Sequence, residues 1–371
     1  MSKISLGAIA LGFVLLGSGT GSFADEPAPS AKRVEADRPH AYRDPHFDYF
    51  VSGDPRLPRA THTDSGVVLF GGGGRVDAGF EFIARKAGGG HIAILRAVSD
   101  GSYDATDGDY GESFVKDWGP VVSAETIVFH DREASSDPRV LDVLHRADGI
   151  FLAGGDQANY IRYWKGTPVG DALNAHVKAH RPIGGSSAGL AVLGRYAYTA
   201  LDGGSMESRV ALADPFDSGV TLEGDFLHVP GLEHVITDTH FSARSRLGRL
   251  IVFIARIGHD DPAAAIYGIG VDEASALLID GAAKGRLASG SKGHAWVVEE
   301  PEPPQLVRGK PLTIAGVSIT RIDAGSTLDL ATRRVANPGY ATRFRINAGV
   351  GEPNAVLAAM LTRSVTPPGE D

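Results

Sequence analysis

The chain has 371 residues, 43% of them hydrophobic, which suffices for one large domain with an appendage or for two domains and is too apolar for a disordered polypeptide. It contains no cysteine, which excludes disulfides, thiolate metal sites and a cysteine nucleophile. A formal charge of −9 argues against a nucleic-acid partner, whose phosphates call for clustered Lys and Arg.

The N-terminus opens with Met1-Ser2-Lys3, runs through an apolar stretch from Ile4 to Leu16 and reaches Ser22-Phe23-Ala24. A charged start, a short apolar run and an A-x-A-like end predict a secretory signal peptide over 1–24, cleaved after Ala24, and hence an exported protein, periplasmic or extracellular. A retained membrane anchor is the alternative, but the run is shorter than the roughly 20 residues a bilayer requires. Residues 25–65 are rich in Pro, Asp, Arg and His with little periodicity and read as a linker or surface arm.

An alternation begins at 66. Apolar strand patterns at Gly66 to Phe70, His91 to Val98, Thr126 to His130, Gly149 to Ala153 and, more weakly, Val229 to Thr237 are bounded by glycine or turn residues. Helical spacing falls at Ala78 to Ala87, Pro138 to Ala147, Gln157 to His180, Ser187 to Thr199 and Ser242 to Ile257. This order predicts βαβ units, a mostly parallel sheet covered on both faces, and ligands at the carboxyl ends of its strands. The catalytic α/β domain is placed at 66–280. Short strands and turns without helices predict a β-rich C-terminal extension over 281–371, packed on the main sheet.

Gly185-Ser186-Ser187-Ala188-Gly189 fits G-x-S-x-G with Ser187 at the centre. A nucleophile on a sharp strand-to-helix turn needs small neighbours, and the following amide of Ala188 can donate to an oxyanion. Such turns are also common without chemistry; Ser186, off centre, suits a helix cap instead. His240, after an apolar run and before an amphipathic helix, falls on the same rim of the sheet and is the candidate base. His228, His234, Asp238 and His240 lie close enough in sequence to leave a metal site open, although their spacing matches no ligand pair on a helix or strand. Asp272-Glu273, in the turn between two apolar runs, supplies a candidate acid to orient the histidine.

Chain order separates two enzyme classes. An α/β-hydrolase esterase runs Ser, acid, His, whereas here the order is Ser187, His240, Glu273; Asp202, Asp214, Asp217 and Asp225 keep the esterase order open. From Gly72 the first glycine cluster reads G-x-G-x-x-D, lacking the last glycine of a dinucleotide site, so no nucleotide cofactor is expected. In "FLAGGDQANY", Gly154-Gly155 permit close backbone approach and Gln157 offers an amide to a substrate, while Asp156 suits a helix cap. Arg244, Arg246 and Arg249 cluster after His240, where the latter two share a helix face and suit a substrate carboxylate.

"FGGGG", "FLAGGDQ", "GGSSAGL", "DTHFSARSRLGRL" and "GIGVDEASAL", in this order from about Val67 to Leu278, together resemble the cyanophycinases, serine hydrolases of peptidase family S51 related to the aspartyl dipeptidase (peptidase E) group. The resemblance implies a flavodoxin-like, doubly wound α/β fold related to class I glutamine amidotransferases and a triad of Ser187, His240 and Glu273. It also implies oxyanion donors at the amides of Ala188 and Gly155, and substrate-pocket positions at Gln157, Asp238, Thr239, Arg246 and Arg249. Arg246 and Arg249 would take aspartyl carboxylates, and Asp238 an arginine guanidinium. The implied reaction is hydrolysis of cyanophycin, a polyaspartate carrying arginine through isopeptide bonds, to β-Asp-Arg, without metal or cofactor. An aspartyl dipeptidase or other isopeptidase is the alternative, and a non-catalytic exported binding protein a remote one; the partner expected is the cyanophycin or aspartyl peptide itself, with no membrane contact after signal cleavage and a homodimer left open. Two positions depart from the family pattern: G-T-S-A-G is here G-S-S-A-G, and Thr239 stands where the family carries glutamine, which puts the substrate rather than the triad in doubt.

Overall fold

The computed structural model describes residues 41–98, 107–289, 293–300, 304–351 and 360. The predicted signal peptide and the first part of the predicted arm lie outside them. Among the described residues no helix is long and apolar enough to cross a membrane.

Five parallel strands form the centre of the first sheet, in the order Ser123–Phe129, His91–Ala97, Gly149–Leu152, Ile183–Ser186, Gly66–Phe70. Their near-continuous apolar character follows from burial on both faces. Alternate residues of Gly66–Phe70 divide between two cores: Val67 and Leu69 join residues of the helices Pro138–Arg146, Gln157–Trp164 and Pro168–Lys178, while Val68 and Phe70 join the helix Asp77–Lys86. On the second side Phe80 stacks on Phe70 at 4.4 Å and on Trp118 at 4.0 Å, replacing water-exposed aromatic surface by ring contacts.

A second, mixed sheet carries Val235–Asp238 parallel to both Tyr267–Val271 and Tyr196–Tyr198, and continues antiparallel into Ala295–Glu299, Ile314–Ile322 and Tyr340–Asn347. Its Val235, Ile269 and Val297 face the core of the first sheet; Ile236, Val298 and Ile319 face the helix Leu247–Asp260. The chain is therefore a mixed α/β protein with helices against both faces of the first sheet and the helix Leu247–Asp260 against the second, and one crossing between the sheets is the turn from Tyr267–Val271 to Ser275–Asp280.

Several sequence expectations are revised. The arm over 25–65 is in part sheet: Phe47–Gly53 pairs antiparallel along Ser123–Phe129, and Ala41–Arg43 pairs on it in turn. The boundary at 280 falls inside a hairpin, because Lys284–Ser289 pairs with Ser275–Asp280, and the C-terminal β region, expected on the main sheet, extends both sheets. The helix predicted from Gln157 to His180 breaks in two, since Gly166 takes φ +64° and Pro168 starts a new helix capped by Thr167. The helix expected from Ser187 to Thr199 is only Ala188–Ala191, followed by the strand Tyr196–Tyr198.

Candidate active site

Ser187 follows the strand Ile183–Ser186 and adopts φ +51°, ψ −116°, a backbone state that costs a non-glycine residue about 1–3 kcal/mol and persists where its surroundings over-determine it. The neighbouring glycines make this possible: a Cβ on Gly185 would meet the Gly189 carbonyl at 2.4 Å, and one on Gly189 the Leu152 carbonyl at 2.1 Å. Ser187 N donates to Phe70 O at 3.3 Å, which ties the turn to the adjacent strand. Ser186 ends the strand buried and caps nothing; the helix start has no side-chain cap.

His240 comes from the second sheet, two residues past Val235–Asp238, with its own backbone at φ +45° and its amide bonded to Gly71 O at 2.8 Å. Its Nε2 lies 2.9 Å from Ser187 Oγ and its Nδ1 2.6 Å from Glu273 Oε1. The geometry assigns the proton to Nδ1, which donates to the carboxylate, and leaves Nε2 to accept from the serine hydroxyl. Burial, reinforced by the positive charge of Arg244, lowers His240 from its ordinary value to about 4, against the opposing pull of Glu273. The imidazole is thus neutral at physiological pH, the form a general base requires.

Glu273 sits in the inter-sheet turn. Asp272, its neighbour, points elsewhere: Oδ1 accepts from Ser242 N at 2.9 Å and Ser242 Oγ at 2.6 Å, and Oδ2 from His294 N at 3.0 Å. Of the aspartates that kept an esterase order open, Asp225 pairs with Arg195, and Asp214 and Asp217 accept from local amides. The metal alternative loses its ligands in the same way: His234 bonds Ala264 O, and Asp238 bonds Arg249.

The serine opens on a cleft of about 290 Å³ lined by Gly155, Gln157 and Thr239, among others, and by three guanidiniums, those of Arg162, Arg244 and Arg246. Arg246 is buried, with one nitrogen donating to Thr239 O at 2.9 Å and Thr239 Oγ1 at 2.7 Å and the other to Ser205 Oγ at 3.3 Å. Burial and the adjacent Arg249 push it down to about 9, still charged at neutral pH. Asp238 and Arg249 are corrections. They form a bidentate ion pair at 2.8 and 2.5 Å, with side chains only 3% and 2% exposed, so neither group is free for substrate. Arg162, and the loop carrying Gly203, Gly204 and Ser205, are cleft features that the motifs did not reveal; the glycine pair was their sequence signal.

In this mixed α/β fold Ser187, His240 and Glu273 stand in the arrangement that lets a serine act as nucleophile, a histidine as its base and a carboxylate as the orienting group. The signature of peptidase family S51 matches residues 103–284, just under half of the chain. A cyanophycinase of Trichormus variabilis is 29% identical over 217 residues, 57% of this chain and 66% of that relative, so the match spans just under two thirds of the relative's length. A cyanophycinase of Synechococcus elongatus is 28% identical over 304 residues, 78% of this chain and 88% of its own length. Among solved structures, a peptidase from an acI-B1 Actinobacterium aligns with a TM-score of 0.47 and 16% identity, covering 73% of this chain and 98% of its own.

Proposed function

We propose that this chain is an exported serine exopeptidase that hydrolyses cyanophycin to β-Asp-Arg dipeptides, on a flavodoxin-like variant of the α/β fold. The observation that carries the reading is the unbroken hydrogen-bond chain from Ser187 through His240 to Glu273, opening on a cleft rich in guanidinium groups. Ser187 Oγ attacks the scissile carbonyl as His240 Nε2 takes its proton, and Glu273 stabilises the imidazolium through Nδ1–H. The amides of Ala188, at the first helical position with no intrahelical acceptor, and of Gly155, on the cleft wall, receive the oxyanion. His240 then protonates the leaving amine, and water, deprotonated by the same nitrogen, resolves the acyl-enzyme. The fold reading is supported in part by strand order: numbered along the chain the five central strands run 3-2-4-5-1, so the four from His91–Ala97 onward follow the flavodoxin-like arrangement 2-1-3-4, while Gly66–Phe70, first in the chain, takes the place beyond them. Export rests on the N-terminal pattern of charged, apolar and small residues.

Incubation with insoluble cyanophycin followed by mass spectrometry tests the reading, which expects β-Asp-Arg from the wild-type chain and none from Ser187→Ala. One observation favours a second reading, an aspartyl dipeptidase or other isopeptidase. With Asp238 engaged by Arg249, Asp156 is the one carboxylate among the residues lining the cleft, against three guanidiniums, which suits a substrate carboxylate better than a substrate arginine. Cleavage of short aspartyl peptides without release of β-Asp-Arg would decide for it.

A further inference from the structure

His240 and Glu273 each stand two residues past adjacent parallel strands of the second sheet, Val235–Asp238 and Tyr267–Val271, and Asp272, which the chemistry leaves unused, bonds to the turns and strand on both sides. The carboxylate is 6% exposed and is met by neutral donors alone: Ser242 N and Oγ, His294 N, and Trp296 Nε1 at 3.3 Å from both oxygens. Ser242 stands two residues after His240, in the turn that holds the imidazole at positive φ. Asp272 itself precedes Glu273, and its amide donates to His294 O at 2.9 Å. His294 and Trp296 belong to the C-terminal β region, at and beside the strand Ala295–Glu299.

From this we infer that Asp272 is a positioning residue for the triad, through which the C-terminal strand Ala295–Glu299 fixes the separation of His240 and Glu273. A carboxylate suits the place because every partner donates. Asparagine, nearly identical in shape, would set its own NH₂ against a backbone N–H of either Ser242 or His294. A buried donor facing a donor is relieved only by moving one of the two turns, and a displacement approaching 1 Å between base and acid is worth roughly a hundredfold in rate.

The inference rests on the proposed Ser187 chemistry, so its test reads that serine directly. A fluorophosphonate probe labels Ser187 at a rate set by the nucleophile and its base, whatever the natural substrate. In Asp272→Asn, a folded and cooperatively melting protein is expected to label roughly ten- to a hundredfold more slowly, and kcat on an aspartyl peptide to fall alike with KM within about twofold. Should Asp272→Asn not fold, Ser242→Ala removes one bond from the half-buried edge of the network, and labelling slowed several-fold is expected. Folded variants that label at the wild-type rate would overturn the inference. A wild-type chain that resists the probe would instead overturn the proposed function.

Discussion

Gly72 lies directly against the imidazole of His240: a Cβ at that position would stand 2.6 Å from both Cε1 and Nε2, and 3.2 Å from Ser187 Cβ. Its φ of +87° is a second reason for glycine. Gly72→Ala must therefore displace the ring or the loop, and either breaks the Ser187–His240 bond. A fall of roughly a hundredfold in fluorophosphonate labelling is expected, together with a lowered Tm; the backbone conformation alone costs about 1–3 kcal/mol. Unchanged labelling would mean that the glycine loop does not brace the base.

The glycine cluster shows how far the residues alone could be read. Its failure to match a dinucleotide fingerprint removed one role, but only the folded chain reveals another, because Gly72 and Gly73 face His240 and Glu273 from more than 160 residues away in sequence. Ser187 and His240 were legible as candidates since each stands where a strand gives way to a turn, a local property; that property fits Asp272 and Glu273 alike, and only the family resemblance favoured Glu273. The ion pair of Asp238 and Arg249 was not, since a carboxylate at a strand end looks the same whether it faces a substrate or its own chain. The break at Gly166 and Pro168 carried local signals, yet apolar spacing continues across it and masks them. Phe47–Gly53 was hidden by Pro- and Asp-rich flanks, and its pairing partner, Ser123–Phe129, lies far downstream in sequence.

The pH profile should report the charges around His240. Activity needs the neutral imidazole, so kcat/KM is lost as pH falls through the His240 value, which burial and Arg244 hold well below the ordinary 6.5. Arg244→Gln removes a positive neighbour and should move the acid limb upward. Glu273→Gln removes the group that favours the imidazolium and should move it downward, with kcat reduced by roughly a hundredfold or more because the charge that stabilises the developing cation is gone. Shifts of the same sign in the two variants, measured in kcat/KM against pH, would contradict this electrostatic account.

Arg246 presents its fork to Thr239 and Ser205 at once, which a lysine cannot do with a single ammonium. Arg246→Lys keeps the charge but loses the geometry that sets the guanidinium in the cleft wall. A rise of roughly tenfold in KM for an aspartyl peptide is expected, near the contribution of one charge-assisted hydrogen bond, with a smaller change in kcat. Initial-rate kinetics separate the two parameters, and a lost kcat at constant KM would place Arg246 with the transition state instead of the bound ground state.

Asp238 and Arg249 should behave as framework groups. Removing the carboxylate leaves Arg249 buried, with Ser205 and the Met206 carbonyl as remaining polar partners and the rings of Tyr198 and Phe253 at 4.9 and 5.7 Å. It also strips Arg246 of an anion at 3.5 Å, so two largely buried positive charges would lose the carboxylate between them. Breaking one side of such a pair costs about 3–5 kcal/mol, because the cost of desolvating the remaining charge is no longer offset. Asp238→Ala is thus expected to lower the urea midpoint by an amount equivalent to that energy at unchanged m, whereas Arg249→Met, which removes the cation and replaces its bulk, leaves Asp238 within 3.5 Å of Arg246 and should cost less. If Asp238 were a substrate contact, Asp238→Ala would raise KM and leave the midpoint where it is; urea unfolding of the substrate-free protein distinguishes the two.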